Sequence, residues 1–513
     1  MFRCEKEAGF AASKKCRLTM PPLFIKKVRK LNPNILPNFL KNRAMLTPNR
    51  VAIVFKDKRL TFKELYEEAY YRAGVLTASG VTDKAYVGFL VKSDLYTVIS
   101  LLALQIIGAK AVLLNNRLTV DELVYQLNDA RVGFLVTEPV FDLVCKQIRG
   151  QMPALNIMGK QDATSYTEPI EKKIIHLADT CTIMYTSGTT GFPKGVIQTY
   201  GNHWWSTMGS VLNLGLHEKD AWLCAVPLFH ISGYSILIRS IVYGIKLVLH
   251  DHFEVDKILR AIEKEKISIM SVVTTMLHKI ESAVEKSLPS TFRCMLLGGG
   301  PASLDLLNRC MDKGIPVYYS YGMTETSSQI VTLAPEYSTT KIGSCGKALF
   351  PAQIKIIDDK GNETSANIPG EIAVYGPNVS QGYLNKGKSS MDGWFHTGDI
   401  GYIDSEGFLF VLDRRTDLII SGGENIYPAE VEGVLTAING IIDAGVVGEK
   451  NEEWGEVPVA FVVKEHNVLL TEETILNICK QKLARYKVPK KVYFLSEIPR
   501  NASKKILRRK LRN

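Results

Sequence analysis

Residues 86–90 (YVGFL) form an apolar run of strand length, residues 96–107 continue with the periodicity of a buried helix, and a second apolar run follows at 111–114. Parallel neighbours need a long crossover between them, and a helix is the shortest way to supply it while covering the sheet. The same alternation returns after Thr180, with runs at 183–185 and 196–198 around a glycine-rich loop and a helix opening near Asn202. A further helical period covers 62–76. These segments predict an α/β chain whose parallel sheets are covered on both faces.

The texture changes after about residue 342. Segments 353–357, 370–375 and 408–412 are short strand patterns separated by turns such as 358–361 (DDKG), which predicts a small antiparallel barrel or sheet. After Asp413 comes a region the size of a small domain, with helical stretches at 429–437 and 471–483 and strands at 460–463 and 491–494. The expected organisation is therefore a basic, disordered extension at 1–36, a large domain at 37–413, a connection at 414–416 and a small α+β domain at 417–513.

The chain has 513 residues and a formal net charge of +11, too long for a single core. Residues 1–36 hold nine cations against Glu5 and Glu7, so most of the excess charge sits in that segment. The remainder is close to neutral for its size and has no basic stripe with interleaved aromatics, which argues against nucleic acid as a partner. The basic segment also admits an early start codon, since Met20 precedes the first domain-like pattern, or a patch for anionic lipid. Its two acids and few serines argue against a mitochondrial transit peptide. The longest apolar stretch, between Asp94 and Lys110, is too short to span a bilayer. Nine cysteines are scattered without a Cys-x-x-Cys pair, so neither a disulfide framework nor a zinc site is expected, and a reducing cytoplasm suits the chain. A homo-oligomer is compatible with these features.

Chemistry concentrates first at 185–195 (YTSGTTGFPKG). Gly188, Gly191 and Gly195 permit a tight turn with inward N–H groups; Thr186, Ser187, Thr189 and Thr190 add hydroxyl donors, and Lys194 adds positive charge. A loop of this composition after a strand suits an oxygen-rich anion. It is not the nucleotide-hydrolase P-loop, because the lysine is followed by glycine and the glycine spacing differs. The segment resembles the signature loop of the adenylate-forming superfamily, which includes acyl-CoA synthetases, luciferases and the adenylation domains of peptide synthetases. The resemblance extends over about 38–513 and rests on several motifs in order.

What the resemblance implies is an enzyme that activates a carboxylic acid with ATP and Mg²⁺ and passes the acyl group to coenzyme A. Within 320–326 (SYGMTET) it implies that Tyr321 packs on adenine with Gly322 beside it, that Thr324 contacts the α-phosphate and that Glu325 helps hold Mg²⁺. In 298–302 (GGGPA), Gly299 and Gly300 would wall the adenine and acyl sites. Asp399, in 393–399 (GWFHTGD), would accept hydrogen bonds from the ribose hydroxyls. Arg414 would contact ribose or phosphate, Gly422 and Gly423 would approach the pantetheine channel, and the hinge position of a mobile C-terminal domain falls at Thr416, where the family often has Asp or Lys. Near the end, Lys505 aligns with the lysine of the adenylation step while Lys504 stands at the family's glycine position. The alternative is that 504–512 (KKILRRKLR) is a solvated basic tail.

The acyl pocket is less constrained. Segment 227–235 (PLFHISGYS) resembles the family's pocket lining and includes His230; beyond it Ser232, Ser235 and Arg239 share a helix face. A cationic anchor suits a substrate with an additional carboxylate, whereas a fatty-acid tunnel would leave such groups unpaired. Arg239 paired with a surface acid is the competing expectation. Segments 198–205, 212–215, 227–233 and 328–332 look like the o-succinylbenzoate–CoA ligases of menaquinone biosynthesis in Gram-positive bacteria, which also tolerate the lost glycine before the lysine. Rival readings are a fatty- or aryl-acid CoA ligase, a luciferase-like oxygenase and a non-catalytic nucleotide-binding relative; Lys505, Glu325, Thr189 and Thr190 argue against the last.

Overall fold

The computed structural model describes residues 34–513 except 163–164, 187–192, 286, 300–301, 303, 387–392, 414–417, 466–467, 500–505, 507 and 512–513. Helix Leu95–Ile107 shows how its central layer is built. Asp94 caps its first turn by accepting from the Thr97 N–H, Gly108 ends it in the left-handed region at φ 88°, and every residue between except Tyr96 is buried. Such a helix needs apolar partners all round. It lies in one hydrophobic cluster with Val87, Phe89 and Leu113 of one sheet and Leu223, Leu247 and Met270 of another.

The first of those sheets has six strands in the order Lys194–Thr199, Thr180–Thr186, Lys110–Leu113, Tyr86–Leu90, Phe134–Thr137 and Asn156–Gly159. All its pairings are parallel except the first. The second has nine strands, parallel from Val51–Phe55 to Val317–Met323 and antiparallel at both edges. The parallel α/β architecture expected from the alternation is thus present twice.

The later segments form a four-stranded antiparallel sheet, Gln353–Ile357, Gly370–Tyr375, Phe395–Ile403 and Leu409–Asp413. A single bridge between Gly346 and Leu409 ties the approach to the nine-stranded sheet to it. The C-terminal part is a five-stranded sheet from Ile419–Ser421 to Val492–Phe494 with helices Pro428–Thr436 and Glu472–Lys482 over its own core. Its two longest strands, Ile441–Asn451 and Gly455–Lys464, pair antiparallel. No helix among the described residues is long and apolar enough to cross a membrane.

Candidate active site

Strand Val317–Met323 delivers Ser320 and Gly322 to a cavity of about 440 Å³, with Tyr321 buried between them, and then runs into a short turn, Thr324–Thr326. Gly322 has no room for a side chain, since a Cβ would stand 2.2 Å from the Ser328 carbonyl oxygen. The turn is held through its carbonyls. Gln198 Nε2 donates to Thr324 O at 2.7 Å, the Ser380 N–H to Glu325 O at 2.7 Å, Asn378 Nδ2 to Thr326 O at 3.1 Å and Ser206 Oγ to Ser327 O at 2.7 Å. Tyr383 donates its hydroxyl to the Glu325 carboxylate at 2.9 Å. Thr324 and Glu325 thus face the cavity from a fixed frame.

Across from them Asp399 lies buried in strand Phe395–Ile403 and accepts the Tyr321 hydroxyl at 2.7 Å. Tyr321, Thr324, Glu325 and Asp399, assigned to one nucleotide from the sequence, are therefore brought together. The glycine-rich loop is represented by its ends. Thr186 and Lys194 are paired residues of adjacent antiparallel strands, and the Lys194 ammonium lies 5.3 Å from the Tyr383 ring centroid. Ser187, Gly188, Thr189, Thr190 and Gly191 lie outside the described residues, as do Gly300, Arg414 and Lys505. Gly299 lines the cavity at φ +83°.

From the C-terminal part, Gly422 and Gly423 reach the cavity in the left-handed region, at φ 57° and 85°. A Cβ on Gly423 would touch Val273 of the cavity wall at 3.5 Å. Ile506 and Arg508, which follow the position of Lys505, pack on the C-terminal part: Ile506 beside Gly445, and Arg508 on Glu432 at 2.7 Å and on the Val446 carbonyl at 3.1 Å. Glu424, next to the two glycines, is buried and ion-paired with Arg117 at 2.8 Å, with His230 Nε2 3.4 Å away. Burial opposes its charge, but His230 and Arg117 prevail and hold its carboxyl below the usual range.

Helix Ile231–Tyr243 lines the cavity as well, with His230 at its N-cap and Ser232, Ser235 and Arg239 all facing it. Ser235 Oγ donates to the Ser232 carbonyl at 3.1 Å and lies 3.4 Å from Ser328 Oγ. Arg239 is 1% exposed, and its guanidinium sits 5.4 Å from the Trp222 ring centroid. Neither Nε nor Nη2 has a hydrogen-bond partner among the described residues, and no carboxylate there pairs with it. The surface-acid expectation fails because the whole side chain is inside. Burial lowers its pKa from the ordinary arginine value. A buried cation without a partner costs several kcal/mol unless a ligand supplies the charge.

Gln198, Tyr383, Ser380, Asn378, Arg117 and Glu424 belong to this site, and no local pattern marked them. Only Gln198 and Glu424 fell inside segments singled out from the sequence, and neither was given a role there.

The family model described as AMP-binding enzyme matches residues 40–384, and that of the AMP-binding enzyme C-terminal domain matches 430–505. The chain belongs to the AMP-binding enzymes. The 2-succinylbenzoate–CoA ligase of Bacillus cytotoxicus is 49% identical over 482 residues, which cover 93% of this chain and 98% of that protein. Among solved structures, a double mutant of o-succinylbenzoate CoA synthetase (MenE) from Bacillus subtilis with the product analogue OSB-NCoA matches at TM-score 0.88 and 45% identity, covering 93% of this chain and 98% of that one. MenE with the acyl-adenylate intermediate OSB-AMP matches at 0.73 and 44% over the same shares. MenE with ATP and magnesium ion matches at 0.72 and 44%, covering 93% and 99%.

His203 gives a pH test of the frame around Thr324. Its Nε2 lies 2.9 Å from Thr182 Oγ, which in turn donates to Gln198 Oε1 at 2.9 Å, and burial, with Arg239 adding to it, pushes its pKa down to about 3. The unfolded chain takes up that proton first, near the ordinary histidine value of about 6.5. Stability from this group is complete above that pH and is lost as the pH falls toward 3. His203→Gln, which cannot charge, should lose less stability between pH 7 and pH 4 than wild type, read as urea midpoints; equal losses would count against this account.

Proposed function

We propose that this chain is an AMP-forming acid–CoA ligase whose acid is 2-succinylbenzoate, feeding menaquinone biosynthesis. The observation that carries the choice of acid is Arg239, a buried guanidinium facing the cavity whose Nε and Nη2 have no partner among the described residues. An acid with a second carboxylate would complete it, and a fatty acid would leave it stranded. The similarity to 2-succinylbenzoate–CoA ligases at 49% identity supports the same substrate. Seven described cysteines are buried and unpaired, which suits the reducing cytoplasm.

A carboxylate is a poor electrophile because its leaving group would be oxide. Attack of a carboxylate oxygen on the α-phosphorus of ATP expels pyrophosphate and gives a mixed anhydride whose leaving group is AMP. The coenzyme A thiol, as thiolate, then attacks the carbonyl carbon and releases AMP. In this reading Arg239 and Ser235 hold the carboxylate that does not react, which leaves the other beside Thr324. Tyr321 stacks on adenine, Asp399 accepts from the ribose hydroxyls, and the loop from Thr186 to Lys194 takes the phosphates. The Glu325 carboxylate is a hard oxygen donor beside the Thr324 hydroxyl and fits Mg²⁺, which when bound offsets the triphosphate charge. Catalysis is then mostly positioning and preorganised charge.

Lys505 is assigned to the first step and Gly422–Gly423 to the second. Both must approach the same carbonyl and α-phosphate, and one cavity has no room for both at once. The C-terminal part therefore turns between steps, with 414–416 as the hinge.

Lys505→Ala should slow adenylate formation by about 10²-fold or more, the cost of one preorganised electrostatic contact, while thioester formation from supplied acyl-AMP largely survives; pyrophosphate exchange against single-turnover thioester synthesis reads the two. Equal loss in both would reject the assignment. Arg239→Met should raise KM for 2-succinylbenzoate by roughly 30-fold or more, the effect of breaking a buried charged contact, and leave benzoate nearly unchanged. A variant that treats both acids alike would remove the case for a second carboxylate.

A further inference from the structure

A buried lysine bridges the C-terminal part to the body of the protein. Lys487 has only 3% of its side chain exposed and lies between two carboxylates, Glu122 Oε1 at 2.6 Å and Glu430 Oε1 at 2.7 Å. Glu430 belongs to the same C-terminal domain, on helix Pro428–Thr436, whereas Glu122 stands on helix Val120–Asp129 beside the six-stranded sheet. Lys487 and Glu430 therefore stay together wherever the C-terminal domain goes, and Glu122 is the partner exchanged when it turns.

We propose that the segment 115–122 is a docking pad that selects the thioester-forming orientation of the C-terminal domain, with Glu122 as its principal positioning residue. The inference rests on the two-step ligase reading above and adds to it the residues that set the balance between the two orientations.

Glu122 is built for this contact. It is the N3 residue of a capping box: its Oε2 accepts from the Thr119 N–H and the Thr119 hydroxyl, both at 2.8 Å. Those two bonds fix the side chain and leave Oε1 aimed at Lys487, so little conformational freedom is lost on docking. Further contacts cross the same seam: Arg117 to Glu424 at 2.8 Å, Asn115 Nδ2 to Glu424 Oε2 at 3.1 Å and to the Tyr486 hydroxyl at 3.4 Å, and His230 Nε2 at 3.4 Å from Glu424. Another, Lys482 to Asp121 at 3.5 Å, is exposed and contributes little.

The chemistry of the triad makes Glu122 matter more than an ordinary ion pair. Burial opposes the charge of Lys487, yet the two carboxylates hold its pKa above the ordinary lysine value, so it stays charged. Charge-assisted hydrogen bonds in a dry seam are the strong kind, and this one exists only with the domain docked as here, where Gly423 meets Val273 in the cavity wall. On undocking, Glu122 keeps its cap and meets water, while Lys487 keeps Glu430. Removing the Glu122 charge thus weakens docking without unmaking either domain. Adenylation, which calls on the other orientation, should not suffer.

Glu122→Gln keeps a residue suited to the N3 position and removes only the charge. In the full-length protein it should slow thioester formation from supplied acyl-AMP by about tenfold or more, about 1.4 kcal/mol, with acid-dependent pyrophosphate exchange at or above the wild-type rate and an unchanged melting temperature. Glu122→Asp, too short to cap and reach Lys487 together, should act in the same direction. A spin-label pair at Leu143→Cys and Leu469→Cys, both highly exposed positions, reads orientation without turnover: Glu122→Gln should shift the distance distribution away from the docked value. Unchanged label distances, or half-reactions that stay at wild-type rates or fall together, would overturn the pad. If wild type exchanged no pyrophosphate with any acid, the ligase reading would fail instead, and the label distances would still judge the docking contact.

Discussion

Four successive carbonyls, from Thr324 to Ser327, are each held by a hydrogen bond from a different distant residue, and the active site depends on that arrangement. The turn leaves the nine-stranded sheet and has little regular structure of its own; Ser327 and Ser328 even adopt positive φ. Backbone carbonyls buried without partners would cost too much to tolerate. Here Gln198 and Ser206 come from the strand and helix after the glycine-rich loop, while Asn378 and Ser380 come from the segment after the antiparallel sheet begins. Three parts of the large domain are tied at one point, and that point carries Thr324 and Glu325. Rigidity where charge must be met in the transition state is what electrostatic preorganisation requires.

That construction explains what could be read from sequence. Strands and helices with one dominant environment were legible: Tyr86–Leu90 and Leu95–Ile107 are mostly apolar because nearly all of their residues are buried. The cavity residues in glycine- and hydroxyl-rich motifs were legible as well, because their local composition is unusual. Ile441–Asn451 was not, since it ends in exposed, charged residues and becomes a strand by pairing with Gly455–Lys464 along its length. Asn378, Ser380 and Tyr383 were hidden for a related reason. Each is an ordinary polar residue in an irregular segment, and its role exists only once the chain brings it to Glu325 or Thr326.

Buried charge separates structure from function more sharply than motif does. Lys160 is enclosed by Asp94 and Glu138, at 2.5 and 2.9 Å, and Asp220 by Arg293 at 2.7 Å with the Ser268 hydroxyl. These are complete, and removing either partner would strand the other. Arg239 differs from them in having an aromatic face and no acid partner among the described residues. On the ligase reading proposed above, that position is where a second carboxylate of the substrate would sit.

The contacts between the two parts of the chain extend the same logic to motion. MenE with a product analogue and MenE with an acyl-adenylate are nearly equal in identity to this chain, 45% and 44%, yet their TM-scores are 0.88 and 0.73. Sequence divergence cannot produce that gap, so it reflects how the parts of one polypeptide are arranged. Among the described residues, the buried apolar cluster of the C-terminal part draws its members from Ile419 to Val492 and none from the large domain. Polar contacts join it to the body, among them Glu424 with Arg117, Asn115 and His230, and Lys487 with Glu122. Polar contacts of this kind are specific in direction and can be exchanged for water, whereas a shared hydrophobic core would have locked one arrangement. On the proposed reading, in which one domain serves two steps at one cavity, the interface has to be selective without being permanent, and ion pairs across the seam meet that requirement.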